Sequence, residues 1–388
     1  MKIVIFNENW LYGGSNLYIE NLIKFASDDN HDVEFILNNE GKYNKDVIPK
    51  IVKISRFNTF NIVNSININH QKNKLLRNLF KFFYILNPFI FFINIFRFYF
   101  LLKKKKPDLV ISCNGGYPAA ESCISIVVSS YFLNIKSIFS IASMPRKRKI
   151  ILYPYELLLD KYINLTANII MTYSIKQMKS LEYDRGIFNQ NNKVLNNGIE
   201  SNPVINKNYG VIKKLGVISR IDSDKSISTL IYLAEKLKKN NVNVHLYIVG
   251  SGPEIEDVKR LALNLNLIND VTFTGYVNDI HKYLLDFDLY VFPSLLEGLP
   301  YSILEAMKYG LPIITTPAGG ITEAITNLEN GIIVEMKSVE SFFQATKLLV
   351  DDTKLAEKLG KNAQKSFRKK FTNEVMHYNF SRIINTLK

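Results

Sequence analysis

The chain has 388 residues, 47% of them hydrophobic and 22% charged, which excludes a disordered protein and leaves room for two domains of ordinary size. Its formal net charge is +14. The basic excess lies in the first half, because residues 1–200 carry 26 basic and 15 acidic side chains, whereas residues 201–388 carry 23 and 20. This asymmetry predicts a polyanionic partner: nucleic acid, an anionic membrane surface or a phosphorylated substrate.

The cysteines and the first residues indicate the compartment. Cys113 and Cys123 lack the spacing of metal ligands or of a disulfide framework, so a reducing compartment is expected. The first apolar run, residues 2–6, is stopped by polar residues at 7–9 before it reaches the length of a signal-peptide core. We therefore expect a cytoplasmic location.

The first half alternates strand-like and helix-like stretches, which favours a parallel sheet. The strand KIVIF (2–6) is followed by a loop with Gly13 and Gly14 and by a helix beginning near Ser15. This arrangement is typical of the start of a nucleotide-binding α/β unit, in which glycines allow the backbone to approach a ligand. Further strands are predicted at 32–37, 107–112, 136–142, 168–174 and 193–200.

A long tract between Val47 and Pro107 contains twelve Lys or Arg residues and no acidic residue. Within it, residues 82–102 are almost entirely apolar and aromatic and lead into the basic cluster Lys103–Lys106. Polar residues and a proline interrupt the apolar stretch. We therefore favour a helix or helix pair that packs partly on the domain and lies partly on an anionic membrane surface, through about 72–106. The alternatives are a membrane span and an internal helix whose lysines complement its C-terminal dipole.

Four consecutive cations follow the predicted strand 136–142. The ligand crevice of a doubly wound sheet lies at the carboxyl ends of its strands, so this cluster is a candidate for binding a phosphate group. The alternative is a solvated basic loop. The cluster consists of Arg146, Lys147, Arg148 and Lys149.

The second half repeats the alternation after a polar segment with Pro and Gly, residues 202–210, which is predicted to link two domains. We expect an N-terminal domain at 1–201, on which a C-terminal helix of about 372–388 packs, and a second domain at 202–371. The expected fold is α/β, with two Rossmann-like, doubly wound domains facing an interdomain crevice. The strands of the second domain are predicted at 214–220, 244–250, 271–275, 289–294, 311–316 and 331–335.

Two cations stand at the mouth of a strand-turn-helix unit in the second half. Arg220 ends the strand 214–220 and Lys225 precedes the next helix. Arg through its planar fork and Lys as a point charge can together neutralise a diphosphate. Two surface cations at a turn are the alternative interpretation.

The stretch from Glu297 to Glu305 places two carboxylates eight residues apart, separated by a Gly-Leu-Pro turn and a helix start. The unpaired N–H groups of such a helix start favour a phosphate. A carboxylate one turn into the helix can accept hydrogen bonds from sugar hydroxyls. The alternative is an ordinary helix that begins with proline and has an acidic first turn.

These motifs resemble the retaining glycosyltransferases of family 4, which have the two-domain GT-B fold. The similarity runs from about Lys193 to Ile325, and the first half resembles the family more loosely, through Gly13-Gly14 and PDLV. The motifs of the second half are VLNNGIE, the R-x4-K of Arg220 and Lys225, IVGSGPE at 248–254, FTGYV at 273–277, and the E-x7-E of 297–305 with the following GLPIITTPAGGITEAI.

The resemblance implies roles for individual residues. Arg220 and Lys225 would hold the diphosphate of a UDP- or GDP-sugar and stabilise the departing nucleotide, and Glu297 would be the third catalytic residue, near the donor sugar. Glu305 would bind the ribose hydroxyls. Independently of the resemblance, the position of the cluster 146–149 at a strand end makes it a candidate for binding an acceptor phosphate. Further donor contacts are expected from Gly13, Gly14, Gly298, Leu299, Pro300, Tyr301 and Ser302.

The chain departs from the family in one segment, because many members carry a His after the fourth strand of the first domain and this chain has Ser140 and Ser143 there. Two other patterns suggest different chemistry. Asp222-Ser223-Asp224 spells the D-x-D of metal-dependent glycosyltransferases, but two acids in so short a turn are better explained as shaping it. Gly250-Ser251-Gly252 begins like a dinucleotide fingerprint, yet Ile255 replaces the third glycine and disfavours a nicotinamide cofactor.

We therefore predict a retaining glycosyltransferase that needs no metal or other cofactor. It would move a sugar from a nucleotide sugar to a lipid-linked or growing saccharide acceptor in surface glycan biosynthesis, at the inner face of the cell membrane. No nucleic-acid partner is predicted. The alternatives are a nucleotide-sugar epimerase or a phosphorylase on the same fold, and a non-catalytic module that binds membranes or nucleic acid.

Overall fold

The computed structural model describes residues 1–9, 13–39, 41–59, 86–149, 152–188, 190–203 and 207–388. These residues form two compact units, which we call unit 1 and unit 2. Unit 1 comprises Met1–Leu195 and His377–Lys388, and unit 2 comprises Asn196–Met376. Each contains one parallel β-sheet flanked by helices, so the prediction of two Rossmann-like α/β domains is confirmed.

The sheet of unit 1 has seven parallel strands in the order β3-β2-β1-β4-β5-β6-β7. Its central strands are continuous apolar runs because a parallel sheet covered on both faces buries both sides of each strand. The edge strand β3 was not predicted, because its alternating, mostly exposed residues lack such a run. The strands are β1 Lys2–Asn7, β2 Asp32–Asn38, β3 Lys53–Phe57, β4 Leu109–Asn114, β5 Lys136–Ile141, β6 Ile169–Thr172 and β7 Lys193–Val194.

The helices of unit 1 include one that is buried along most of its length. This helix, α3, contains four serines, and two of them donate hydrogen bonds to α2: Ser125 Oγ to the Phe91 carbonyl at 3.3 Å and Ser129 Oγ to the Ile95 carbonyl at 2.7 Å. Such small side chains permit close packing of helices. The helices are α1 Gly14–Asp28, α2 Asn87–Lys105, α3 Glu121–Phe132, α4 Tyr153–Thr166 and α5 Ile175–Arg185.

Helix α2 corresponds to most of the predicted apolar stretch, whereas the predicted membrane-contacting residues 72–85 lie outside the described residues. One face of α2 packs into unit 1 through Phe91, Phe98 and Leu102, which are fully buried. Its opposite face is exposed. Among the described residues, no helix combines the length and the hydropathy that a bilayer crossing requires. The exposed apolar side chains of α2 are Phe89, Phe92, Ile93, Phe96 and Phe100.

Unit 2 contains a six-stranded parallel sheet in the order β10-β9-β8-β11-β12-β13. Its strands are β8 Lys214–Ile218, β9 His245–Val249, β10 Val271–Gly275, β11 Leu289–Phe292, β12 Ile313–Thr315 and β13 Ile332–Ile333. Its helices are α6 Ser228–Lys239, α7 Ile255–Asn264, α8 His281–Asp286, α9 Tyr301–Lys308, α10 Ile321–Ala324, α11 Val339–Asp351 and α12 Thr353–Lys370.

The final helix, α13 Asn373–Asn385, ends on α1 of unit 1. The His377 ring stacks on Phe25 with ring centroids 4.6 Å apart, and its Nε2 lies 2.9 Å from Asp29 Oδ1. Ser381 Oγ donates to the other oxygen of the same carboxylate at 2.6 Å. These contacts fix the end of the chain on the C-terminal end of α1.

The strand orders define where each sheet can bind a ligand. In doubly wound sheets, the crevice forms between neighbouring strands whose connections leave in opposite directions. In unit 1 this position lies between β1 and β4, and in unit 2 between β8 and β11. The loops after β8 and β11 contain Arg220, Lys225 and Glu297.

Candidate functional site

The loop after β8 presents Arg220 to solvent and holds it through the neighbouring Asp222. The Arg220 side chain is 64% exposed, and its Nε donates to Asp222 Oδ2. The other oxygen of Asp222 accepts the Asp224 N–H at 3.1 Å, and the Asp222 carbonyl accepts the Lys225 N–H at 3.0 Å. Asp222 therefore shapes the turn between the two cations and orients the first of them.

The pattern Gly250-Ser251-Gly252 has a packing role beside this loop. A Cβ on Gly250, whose φ is +134°, would lie 1.9 Å from the Ser219 carbonyl oxygen, and a Cβ on Gly252 would lie 2.1 Å from that of Ile221. The Ile221 N–H also donates to the Ser251 carbonyl at 3.0 Å. These glycines thus allow the loop after β9 to lie directly against the loop that carries Arg220.

The loops after β8 and β11 meet at a charged pair. Lys225 Nζ lies 2.6 Å from Glu297 Oε1, and both side chains are mostly buried, at 17% and 10% exposure. Ser294 Oγ donates to the same carboxylate oxygen at 2.8 Å, and the Leu295 N–H donates to the Asp224 carbonyl at 2.7 Å. The predicted Lys225 and Glu297 therefore lie side by side, in a position held by backbone and side-chain contacts.

The glycine turn after β12 supports the loop that contains Glu297. Gly319 has a φ of +52°, and a Cβ at this position would lie 1.6 Å from the Glu297 carbonyl oxygen. The Gly320 N–H donates to the Gly298 carbonyl at 2.6 Å. Thr316 Oγ1 donates to the Ser294 carbonyl. The turn therefore holds the backbone of Glu297 and Gly298 in position.

Helix α9 starts at Tyr301, directly after this loop, with Pro300 in extended conformation as its N-cap. Its first N–H groups have no partner within the helix, as at every helix start. The predicted contact residues Gly298, Leu299 and Ser302 belong to the same turn. This segment provides backbone donors and the positive end of a helix dipole next to the Lys225–Glu297 pair.

Glu305 lies one turn into α9, where it is half-buried. Burial raises the pKa of its carboxyl group to about 7, and Lys308 counteracts this only in part. Lys308 itself is bound elsewhere, because its Nζ donates to the Asn202 carbonyl at 2.6 Å. The Glu305 carboxyl group is thus an acceptor that needs hydrogen-bond donors when it is ionised.

Asn197, near the start of unit 2, also belongs to the site. Asn197, which is 2% exposed, donates from its Nδ2 to the Leu299 carbonyl and so holds the turn before α9. It belongs to the motif VLNNGIE, which gave no role to this side chain. Like Asp222, Ser294 and Gly319, Asn197 holds a loop of the site in position through hydrogen bonds or backbone contacts. Sequence spacing alone does not reveal such contacts.

The structure thus brings Arg220, Lys225, Glu297 and the segment up to Glu305 onto the two loops and the helix start at the β8/β11 crevice position of unit 2. Gly13 and Gly14 lie in unit 1, where Gly13 caps α1 in extended conformation and Gly14 is the first residue of that helix. Among the described residues, no atom lies within 4 Å of a Cβ placed on Gly13.

The predicted phosphate cluster of unit 1 divides into two kinds of residue. Arg146, Lys147 and Lys149 have exposed side chains. Arg148 Nε lies 2.8 Å from Asp160 Oδ2, and its guanidinium also donates to the carbonyls at the end of α5. Arg148 is therefore part of the interior of unit 1, and the phosphate-binding prediction rests on the other three cations.

The arrangement of unit 2 suits an anionic ligand that also carries hydroxyl groups. Arg220, Lys225 and the start of α9 lie at the carboxyl ends of β8 and β11. The carboxyl group of Glu305 lies one turn further along α9. Among the described residues, no group of three or more His, Cys, Asp or Glu side chains has an arrangement that would hold a metal ion.

Residues 200–366 match the family described as glycosyl transferases group 1. The capsular polysaccharide biosynthesis glycosyltransferase CapM of Staphylococcus aureus is 28% identical over 49% of this chain and 50% of its own length. An Escherichia coli enzyme, named as a UDP-Gal:α-D-GlcNAc-diphosphoundecaprenol α-1,3-galactosyltransferase, is 34% identical over 34% of this chain and 36% of its own. The chain spans half or less of the length of the first curated relatives that it matches.

The whole chain is similar in fold to the crystal structure of Anabaena Alr3699/HepE in complex with UDP. The TM-score is 0.77 over 100% of both chains, at 16% sequence identity. This likeness extends the similarity beyond residues 200–366, at the level of the fold. Residues 200–366 therefore match the glycosyl transferases group 1 family, and the whole chain has the GT-B fold of its structural neighbours.

Proposed function

We propose that the protein is a retaining glycosyltransferase of family 4. It transfers a sugar from a UDP- or GDP-sugar to a lipid-linked or growing saccharide acceptor during the synthesis of a surface glycan. The observation that carries this proposal is the meeting of Lys225 with Glu297 at the β8/β11 crevice position, beside the start of α9. The names of two curated relatives support a role in glycan synthesis and a lipid-linked acceptor. The structural neighbour was solved in complex with UDP, which favours UDP as the nucleotide of the donor.

The chemistry follows from the positions of the charges. Arg220 and Lys225 bind the diphosphate, and the N–H groups at the start of α9 contribute donors to the same anion. When the bond between the anomeric carbon and the phosphate oxygen breaks, these groups stabilise the negative charge on the departing nucleotide. Glu305 accepts hydrogen bonds from the ribose hydroxyls and so fixes the nucleoside.

The acceptor hydroxyl attacks the anomeric carbon from the side that the nucleotide leaves, so the configuration is retained. A bond forms between the acceptor oxygen and the anomeric carbon, and the hydroxyl proton passes to an oxygen of the departing diphosphate. Glu297 lies beside the donor sugar. Its negative charge stabilises the positive charge that develops on the sugar ring in the transition state. Because Arg220 and Lys225 neutralise the diphosphate, no metal ion is required.

The donor side is tested by calorimetry with UDP and GDP and by nucleotide release from a panel of nucleotide sugars. We expect one nucleotide to bind, and release to require membrane extract or a purified saccharide acceptor. Excess EDTA should leave the rate unchanged. Absence of nucleotide binding would contradict the proposal, and turnover to an isomerised nucleotide sugar without acceptor would indicate an epimerase instead.

We also propose that α2 lies on an anionic membrane surface. Its exposed side carries aromatic residues and ends in Lys103 and Lys104, whereas Lys105 Nζ lies 2.6 Å from Glu34 Oε1 and is used within unit 1. Flotation with vesicles of phosphatidylglycerol and phosphatidylcholine tests this. The variant K103Q/K104Q should float less than the wild type, since each lysine near such a surface contributes about 1 kcal/mol. Equal flotation of the two proteins would contradict the membrane proposal.

A further inference from the structure

Helix α12 concentrates the basic charge of the second half of the chain. Residues 201–388 carry 23 basic and 20 acidic side chains, which is close to balance. Within them, α12 carries seven basic side chains and one acidic, so the rest of the second half has 16 basic and 19 acidic. The charge is thus segregated onto one helix. The acidic residue is Glu357, and the basic residues are Lys354, Lys358, Lys361, Lys365, Arg368, Lys369 and Lys370.

Six of these cations form a row along one face of the helix. At about 3.6 residues per turn they fall within an arc of roughly 100°, and the row is about 22 Å long. The opposite face is buried and consists of small and apolar residues. Every member of the row is exposed. We call this row the basic stripe, and it consists of Lys354, Lys358, Lys361, Lys365, Arg368 and Lys369.

The buried face fixes the orientation of the basic stripe. A Cβ on Gly360 would lie 2.2 Å from the Gly310 carbonyl oxygen, so α12 packs directly against the end of α9. Gln364 Nε2 donates to the Lys308 carbonyl at 2.9 Å in the same region. Phe367 is buried one turn further along. Because the apolar side of α12 is used within unit 2, the face that it presents to a partner is the cationic one.

The neighbouring carboxylates cancel little of this charge. Glu357 Oε1 lies 2.5 Å from Lys361 Nζ, one turn away on the same helix. Asp351 pairs with Lys347 at 2.6 Å, and the Asp352 side chain accepts a backbone N–H at the start of α12. In the part of the chain that the structure describes, the other five cations of the basic stripe form no ion pair. The stripe therefore carries uncompensated positive charge along most of its length.

The dipole of the helix explains only part of this distribution. Cations are stabilising in the last turn of a helix, where Arg368 and Lys369 lie, and unfavourable in the first turn. Lys354 occupies the first turn, next to the positive end of the dipole. The charge at the start of α12 thus opposes the stability of the helix, and an external anion would offset this effect.

We propose that the basic stripe lies on the surface of an anionic lipid bilayer and gives unit 2 a membrane contact of its own. A straight row of cations on a convex helix touches a plane along its whole length. About four to eight clustered cations are typical of segments that bind anionic lipids electrostatically. The contact involves neither α2 nor the β8/β11 crevice position. It therefore goes beyond the proposed sugar transfer and beyond the proposed membrane contact of unit 1.

The side chains around the basic stripe favour a bilayer surface over single-stranded nucleic acid. Within the described residues 349–377, no large apolar or aromatic side chain is exposed. Proteins that bind single strands combine cations with aromatic side chains on which the bases stack. Without such groups the stripe neither stacks nor inserts, and its binding is electrostatic. Binding should therefore weaken with salt, since the Debye length shortens from about 10 Å at about 0.1 M to about 3 Å at about 1 M.

Cosedimentation of the full chain with vesicles of phosphatidylglycerol and phosphatidylcholine tests the contact. Each lysine near such a surface contributes about 1 kcal/mol, which corresponds to about a fivefold change in partitioning. K354Q/K358Q/K365Q should therefore lower the partition coefficient at least tenfold, with unchanged melting temperature and UDP affinity. The difference from the wild type should disappear at about 1 M salt. Equal partitioning of the two proteins at low salt, or a difference that persists at high salt, overturns the proposal.

The matched control removes three exposed lysines from other elements of unit 2. K213Q/K259Q/K282Q has the same net charge as the test variant and should partition at least fivefold better. Equal losses would show a response to net charge alone and would overturn the proposal. The loss caused by the test variant should recur on the K103Q/K104Q background; its absence there would mean that unit 2 has no contact of its own. A test variant that binds duplex DNA more weakly but vesicles equally well would identify nucleic acid as the partner and overturn the bilayer proposal.

Discussion

Gly319 lies in direct backbone contact with Glu297, so close that a Cβ on the glycine would stand 1.6 Å from the glutamate carbonyl oxygen. The contact joins the turn after β12 to the loop that carries the proposed catalytic carboxylate. Gly319 also has a φ of +52°, a conformation that disfavours every residue with a side chain. The position of Glu297 thus depends on a glycine 22 residues further along the chain.

The substitution Gly319→Ala is expected to displace the Glu297–Gly298 backbone. The left-handed conformation alone costs alanine about 1 kcal/mol, which lowers the melting temperature by about 2–4 °C in a domain of this size. Turnover should fall at least 100-fold because the catalytic carboxylate moves. Gly210→Ala is the matched control, since a Cβ there lies within 4 Å of no atom of the described residues. Wild-type activity in Gly319→Ala would show that the turn does not position Glu297.

The Lys225–Glu297 pair is expected to matter more for turnover than for folding. Lys225→Ala should reduce kcat about 100- to 1,000-fold, as expected for the loss of a group that stabilises charge in the transition state. It also leaves Glu297 without its cation, so the melting temperature should fall. In Lys225→Ala/Glu297→Gln, the uncompensated charge is gone, and stability should recover while activity stays low. A double variant as unstable as Lys225→Ala would argue against the pairing seen here.

Glu305 should make nucleotide binding depend on pH. Its pKa is raised to about 7 by burial, so the carboxyl group is largely protonated below that pH and ionised above it. Ribose hydroxyls donate to the ionised form and lower its pKa, so UDP affinity should decrease as the pH falls from 8 to 6. Calorimetry in buffers of different ionisation enthalpy should detect proton release on binding near pH 6.5. In Glu305→Gln this release should disappear, with weaker binding at all pH values.

The same raised pKa has a consequence for stability. The unfolded chain has an ordinary glutamate pKa of 4.5, so between this value and about 7 the folded protein binds more protons than the unfolded one. The contribution of Glu305 to stability is therefore most favourable below pH 4.5 and decreases as the pH rises to 7. Removing the charge in Glu305→Gln should raise the melting temperature at pH 8 relative to the wild type. An unchanged or lower value at pH 8 would contradict the assigned pKa.

Asp222 should act as a positioning residue for Arg220. In Asp222→Asn the turn hydrogen bond to the Asp224 N–H can persist, but the charge that orients the guanidinium is lost. Because exposed ion pairs contribute up to about 1 kcal/mol, KM for the donor should rise roughly two- to fivefold with little change in kcat. Asp224→Asn is the control, since Asp224 supports the loops through its backbone carbonyl. A larger effect of Asp224→Asn would mean that its side chain has a role the structure does not assign.

Much of the fold was predictable because parallel strands buried on both faces are continuous apolar runs. The strands that begin KIVIF, KSIFS and LYVF were predicted within one or two residues of their observed ends. The edge strand β3 was missed because its residues alternate and are largely exposed. Helix α6 begins at Ser228 rather than directly after Lys225, since Ser226 adopts a left-handed conformation.

Spacing along the chain indicated which residues belong to the site but not which neighbours hold them. Arg220, Lys225, Glu297 and Glu305 were identified from motifs, because chemistry at a strand end requires particular residue types at short separations. Two of their supporting contacts join distant positions: Asp224 and Leu295 are 71 residues apart, and Asn197 and Leu299 are 102 residues apart. Such pairs have no local signature, since they depend on which strands become neighbours.

The sequence by itself determined the alternation of strands and helices, the basic first half and the set of charged residues at the strand ends, because these follow from local periodicity and residue type. Only the tertiary structure decided how each charge is used. It placed Arg148 and Lys105 in internal ion pairs, left Arg146 and Lys147 exposed, and brought Lys225 to within 2.6 Å of Glu297. A charged side chain becomes structural or functional according to the partner that folding places beside it, and in these ion pairs the partner lies 12, 71 or 72 residues away in the chain.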